Sequence, residues 1–269
     1  MSDLLFEVQD GVATLTMNRP QARNALSAAM KAAFADAVPR IVSDDAIRAL
    51  VITGAGGAFC AGGDLRGMAE ARPQMDHERW RQRMLEVQPW MTQLIECPKP
   101  VIAAVDGPAF GAGFGLALTA DFVLASPRAR FCLSFMRVGL GPDFGLVYTL
   151  PRVVGVQRAK ELMLSAREVA ADEALRLGLA MEVLPAGALL PRAHALARSF
   201  AGASALATRL IKEDVALSLR SDLAGMFARE AEHQAQCFGS DYQAEAVQRF
   251  LDKQPAAFQW PAAPAGEQR

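Results

Sequence analysis

Histidine is scarce in this sequence, aromatic residues reach only 7%, and neither sign of charge prevails: 28 basic side chains stand against 29 acidic ones, a net charge of −1. The balance argues against nucleic acid or an anionic membrane as the main partner, while leaving room for a small anionic ligand. The three histidines, His77, His194 and His233, share no ligand spacing, and Cys60, Cys97, Cys132 and Cys237 lie far apart without a CxxC pair. No zinc site and no disulfide framework is expected; reduced cytosolic thiols are the simpler reading. No apolar run is long enough to span a bilayer. The opening MSDLLFEVQDG has an acid where a secretory leader needs basic residues, so a soluble, cytoplasmic protein is expected.

Apolar residues are plentiful, at 52% of 269 residues, enough for one large domain or a domain with an appendage. Alternation at 4–8 and 12–18, joined through Gln9-Asp10-Gly11, predicts a hairpin. Ser27 offers an N-cap to the alanine-rich helix AAMKAAFADAV, which Pro39 should kink or end. ALVIT at 49–53 predicts a buried strand, and apolar spacing predicts one helix over 77–96. The strand VIAAVDG, the small-residue run FGAGFGLALTAD and the strand FVLAS at 122–126 follow. Strand, glycine turn, helix and strand thus recur, which predicts a layered α/β core. Beyond about residue 190 the spacing is helical without strand signal, and its alanine and leucine faces need a cover, for which another subunit is a reasonable partner. The tail from Gln259 reads as frayed.

The most informative pair is FCAGGDL (59–65) and FGAGFGLAL (110–118), each set after a buried strand and before a helix. First turns of helices leave N–H groups unpaired, and two such groups converging on one carbonyl oxygen make an oxyanion hole. The alternative reading is that the glycines serve only tight turns and close packing. Neither stretch has the GxGxxG spacing or the lysine of a phosphate cradle. A further oddity is GLGPDFG (139–145), which sets a lone carboxylate, Asp143, among Met136, Val138, Leu140, Phe144, Leu146 and Val147.

These motifs, with NRPQARNAL (18–26), PKPVIAAVDG (98–107), LPRVVG (150–155) and FLDKQPAAF (250–258), occur in an order that resembles the crotonase family of enoyl-CoA hydratases and isomerases. The resemblance runs from about Phe6 to Phe258. It implies an α/β fold of spiralling ββα turns over 1–195, with a C-terminal helical trimerisation region over 196–269 and assembly as a homotrimer or homohexamer. It also implies that the N–H groups of Gly63 and Ala112 hold the thioester oxygen of an acyl-CoA, with no cofactor beyond coenzyme A in the substrate. By the same resemblance Ala22, Arg23, Ala25, Ala61, Gly62, Asp64 and Leu65 line the CoA path, and Lys253 reaches the CoA of a neighbouring subunit.

Hydratases of the family use two glutamates; Gly115 and Phe135 stand at those positions here. Without an oriented base and proton source, water addition is disfavoured. Asp143 is the acid left, and the sequence resembles the isomerase branch, especially the ring-epoxide phenylacetyl-CoA isomerases of phenylacetate degradation. Apolar company should raise the aspartate pKa from about 3.9 towards neutrality, suiting a base that moves a proton between carbons. Alternatively Asp143 is a turn residue capping the next helix. Asp64 reads as an N-cap, Asp121 as structural, and Glu161 and Glu213 as solvated. The expected activity is double-bond or ring isomerisation of an acyl-CoA; hydration and non-catalytic thioester binding are the alternatives.

Overall fold

The computed structural model describes residues 2–262. The chain opens with β1 (Leu4–Gln9) and β2 (Val12–Met17), paired antiparallel. Asp10 and Gly11 make the two-residue turn, both with positive φ (51° and 73°), the geometry that Asp-Gly favours. A 3-10 turn over Pro20–Ala22 leads to α1 (Ala28–Ser43), where Ser27 accepts from the Met30 N–H. The helix does not end at Pro39; that residue lies on its solvent side while Ala37, Val38 and Ile41 stay buried, and packing carries the helix on. Next come β3 (Ala49–Gly54), α2 (Leu65–Ala71), α3 (His77–Leu85) and α4 (Gln88–Ile95).

The single helix expected over 77–96 is thus two. Pro89, which has no N–H to donate, falls in the first turn of α4, where none is needed. Strands β4 (Val101–Val105) and β5 (Pro108–Phe110), helix α5 (Ala112–Ala117), and strands β6 (Phe122–Ala125) and β7 (Arg130–Cys132) follow. Then come α6 (Leu146–Val154), α7 (Val156–Ser165), β8 (Glu168–Ala170), α8 (Ala171–Arg176), β9 (Glu182–Val183) and α9 (Ala186–Ser199). Three helices are the last among the described residues: α10 (Ala205–Ser218), α11 (Leu223–Phe238) and α12 (Asp241–Leu251).

One sheet runs β1-β2-β3-β4-β6-β9, parallel throughout except for the β1–β2 hairpin, and a smaller one runs β5-β7-β8. Both faces of the large sheet are covered, which is why β3 and β4 read as unbroken apolar runs. On one face pack Phe34, Trp90, Phe114 and Phe131; on the other, Leu189, Ala193 and Leu196 of α9 meet Val51, Ile102 and Leu124. The boundary expected at 195/196 therefore falls within a helix that belongs to the core, and the helices clear of the sheet begin at α10. The tail is not frayed as far as it is described. Trp260 meets Phe122 edge-on at 5.3 Å, Phe258 packs on Phe200 at 5.5 Å, and Arg192 donates to the carbonyls of Pro261 and Ala262. The rest of the expected frayed tail, 263–269, lies outside the described residues.

Candidate active site

The stretch after NRP and the first glycine turn are tied together by backbone and by one buried amide. Ala61 donates to Arg23 O (2.9 Å) and Leu26 to Gly62 O (2.8 Å). Asn24, fully buried, accepts from the Arg19 N–H and donates from Nδ2 to Ala55 O (2.9 Å) and Ala58 O (2.7 Å). Arg23 and Asn24 both take positive φ (48° and 57°), a sharp bend that these three hydrogen bonds sustain. Arg19 adds a bond to Asp64 Oδ2 (3.1 Å) and one to Ala25 O (2.8 Å). Ala22, Arg23, Ala25, Ala61, Gly62 and Asp64 are thereby gathered on one ridge, with the Arg23 side chain exposed.

Asp64 caps α2, as its sequence position suggested, accepting from Gly67 N (3.2 Å). That bond and the Arg19 guanidinium hold its carboxyl below the usual range. Such an acid is a poor proton carrier. Leu65 opens α2 with its side chain 56% exposed, where it can border a ligand but holds nothing in this chain. Cys60 is buried and its thiol is pushed up to about 12 by burial, which leaves it unreactive.

The second glycine turn presses against the first. A Cβ on Gly62 would lie 2.7 Å from Phe110 O and 3.6 Å from the Ala112 nitrogen, and one on Gly113 would lie 2.3 Å from Cys60 O. Close packing is therefore real for Gly62 and Gly113. It does not account for the N–H groups of Gly63 and Ala112, which find no acceptor among the described residues. Ala112 is the first residue of α5, where an unpaired N–H is inherent; Gly63 stands before the cap of α2, in extended chain rather than in a helical turn. Two adjacent segments thus each present a free donor, an arrangement suited to one carbonyl oxygen.

Asp143 lies in the loop that precedes α6. A Cβ on Gly115 would come 2.7 Å from both Cβ and O of Phe144 and 3.3 Å from Leu146 Cγ, so the loop carrying Asp143 abuts α5 directly. Phe144 and Gly145 take positive φ (50° and 73°), turning the chain between Asp143 and α6. Trp90 fixes that turn, edge-on to Phe144 at 5.8 Å and stacked on Phe34 at 5.1 Å. The carboxylate does not cap α6; Gly145 holds the cap position without a side-chain bond. Asp143 Oδ1 is buried and has no hydrogen-bond partner. Burial pushes its pKa up to about 6, with Lys31 the cation pulling it down.

Other expected residues stand apart. Lys253, exposed after α12 with φ 54°, makes no bond to either glycine turn. Asp121 is structural as read, accepting from the Val101 N–H (2.8 Å) and Lys212. Glu161 and Glu213 are ion-paired rather than merely solvated, with Arg167 and Arg158 for the first and Arg209 and Arg229 for the second. A groove of about 930 Å³ lies elsewhere, between the core and α10, lined by Cys97, Phe122, Phe200, Ile211 and Lys212. Sequence reasoning passed over Asn24, Arg19 and Lys31; the only signal was their place in and just after NRPQARNAL.

Comparison with known proteins agrees with this geometry. Residues 7–261 match the enoyl-CoA hydratase/isomerase family. The chain is 38% identical to a probable enoyl-CoA hydratase of Rhodobacter capsulatus, over 94% of this chain and 96% of that one. It is 36% identical to the 1,2-epoxyphenylacetyl-CoA isomerase of Escherichia coli, over 96% of this chain and 98% of the relative. A crystal structure of an enoyl-CoA hydratase/isomerase from Cupriavidus metallidurans superposes with a TM-score of 0.91 at 44% identity, covering 98% of this chain and 99% of that one. The ββα core, the paired glycine turns and these matches lead to one conclusion: the chain belongs to the crotonase family of enoyl-CoA hydratases and isomerases.

Proposed function

We propose that the protein is an acyl-CoA isomerase that moves a double bond, or rearranges a ring, by proton transfer through Asp143. The observation that carries the reading is the buried, unpartnered Oδ1 of Asp143, in a loop that packs against Gly115 of the second glycine turn. In a 3-enoyl thioester the carboxylate takes the proton from C2, and the electron pair passes through C1 to the thioester oxygen. The N–H groups of Gly63 and Ala112 hold the resulting dienolate oxyanion, each such donor being worth about 3 kcal/mol. The Asp143 carboxyl then returns the proton to C4, which leaves the double bond between C2 and C3 and the aspartate as it began. A pKa of about 6 keeps the base ionised at neutral pH and the acid strong enough to reprotonate. Gly115 and Phe135, where hydratases of the family carry glutamates, offer no second acid for water addition.

The CoA moiety runs along the ridge from Ala22 to Ala25 and Ala61 to Leu65, with Arg23 free to meet a phosphate. In this reading the chain works as a trimer. Ile211, Val215, Leu219, Phe227 and Phe250 leave large apolar faces uncovered on α10 to α12, Phe250 at 81% exposure, and Lys253 then reaches a neighbour's CoA. The test offers 3-enoyl-CoA and 2-enoyl-CoA to wild type and Asp143→Asn in heavy water. Conversion of the 3-enoyl substrate with deuterium uptake, lost in the variant, is expected. Hydration of the 2-enoyl substrate without isomerisation would overturn the proposal.

A further inference from the structure

The loop that carries Asp143 has little main-chain support. Ahead of the aspartate, Met136, Val138 and Leu140 are exposed, and a Cβ on Gly139 or Gly141 would meet nothing within 4 Å. From Gly141 to Gly145 no N–H donates a hydrogen bond to another residue among the described residues, and the turn keeps one from Leu146 N–H to Asp143 O, at 3.1 Å. The place of the carboxyl is left to the packing of the next two residues, Phe144 and Gly145.

Three contacts supply that packing. Phe144 is buried, with its Cβ and O so near Gly115 of α5 that a Cβ there would come within 2.7 Å of both. Trp90 of α4 meets its ring edge-on at 5.8 Å. The third contact is on Gly145, where a Cβ would lie 3.1 Å from Cδ1 of Ile95, the last residue of α4. The terminal methyl of Ile95 therefore fills the space beside the Gly145 Cα, at a position whose φ of 73° already favours glycine. Gly115 and Trp90 are buried in the core, whereas Ile95 is half-buried and also lines the groove of about 930 Å³ beside α10. Of the three supports, Ile95 is the one that can be trimmed without opening a cavity in the core.

We propose that Ile95 is a positioning residue for Asp143: its Cδ1 braces Gly145 and, through the left-handed turn at Phe144, keeps the carboxyl where it can both take and return the migrating proton. It acts through the loop and not on the substrate, so its loss falls on the chemical step rather than on binding. A braced loop also keeps water from the carboxyl. A loosened one lets the carboxylate hydrate, which returns its titration towards that of an exposed aspartate. The inference rests on the proton-shift reading of Asp143.

Ile95→Val, which removes the Cδ1 methyl alone, tests it in the full-length protein. Ile95→Leu, which keeps a δ methyl, and Leu196→Ala, a change in the buried core on α9, serve as comparisons. With 3-enoyl-CoA, kcat is expected to fall about tenfold in Ile95→Val with KM unchanged, and to recover in Ile95→Leu. Carbon-13 NMR of labelled aspartate, recorded without substrate, follows the Asp143 carboxyl itself. Its titration near about 6 in wild type moves down towards 3.8 in Ile95→Val, and stays in place in Leu196→Ala although that variant unfolds more easily. A wild-type titration in Ile95→Val, a rise in KM alone, or an equal shift in Leu196→Ala overturns the inference. A wild type that turns over no 3-enoyl-CoA, with the shift still present in Ile95→Val, sinks the proton-shift reading alone. An Asp143 that titrates near 3.8 in wild type sinks both.

Discussion

Asp143 shows how one side chain's surroundings determine what it can do. Its carboxyl moves from the usual 3.8 to about 6 because the charged form loses water and gains no hydrogen bond at Oδ1. The folded value exceeds the unfolded one, so this group's contribution to stability is fully present below about pH 4 and is lost as pH rises through 6. Asp143→Asn should therefore be more stable than wild type at pH 8, by about 2 kcal/mol, with the gain vanishing below pH 4; denaturant titrations at both pH values check this. The same carboxylate should set an acid limb near pH 6 in kcat/KM for 3-enoyl-CoA, and the asparagine variant should be at least about 100-fold slower. Gly115 makes a second residue-scale prediction. Restoring a glutamate there should not create a hydratase, because its Cβ would strike Phe144 Cβ and O at 2.7 Å. Gly115→Glu should lose about 2 kcal/mol in thermal unfolding and gain no hydration of 2-enoyl-CoA.

Among elements, the site depends on joints between segments more than on any one of them. The NRP turn and the first glycine turn meet through Asn24, whose three side-chain bonds hold both. Asn24→Ala should cost about 3 kcal/mol, since it strands buried polar groups, and should weaken CoA binding by loosening the ridge. Calorimetric titration with CoA and a melting curve report the two effects separately. The row Phe34–Trp90–Phe144 plays the same part for the loop before α6. Much of this was open to sequence reading only as motif order. Ser27 and Asp64 as N-caps, the Asp10-Gly11 turn and the strands at β3 and β4 followed from local chemistry. The break between α3 and α4, and the persistence of α1 through Pro39, followed from packing that periodicity does not carry.

At the scale of the whole molecule, the described end of the chain is part of the core's cover. Arg192 is 4% exposed, paired to Glu182 by two 2.8 Å bonds, and its other nitrogen reaches the carbonyls of Pro261 and Ala262. Removing one partner of a buried pair leaves the other charge stranded. Arg192→Met should lower stability by about 3 kcal/mol and release the tail from Phe200 and Phe122, which limited proteolysis detects. The double variant with Glu182→Leu should recover most of the loss.

Sequence alone determined the layered α/β class, the hairpin, the two glycine turns and the presence of a single acid in apolar company, because these depend on propensity, periodicity and burial patterns carried within short segments. It left open whether the glycines pack or bind, and whether Asp143 caps a helix or serves a cleft. Tertiary structure shows the two glycine turns closely packed with the N–H groups of Gly63 and Ala112 left free, and the Asp143 carboxylate away from the cap of α6. The free N–H groups of Gly63 and Ala112 and the unpartnered oxygen of Asp143 are facts about what is missing around an atom. Those absences arise where segments well separated in the sequence meet, Gly62 against Phe110 and Gly115 against Phe144, and no short segment encodes them.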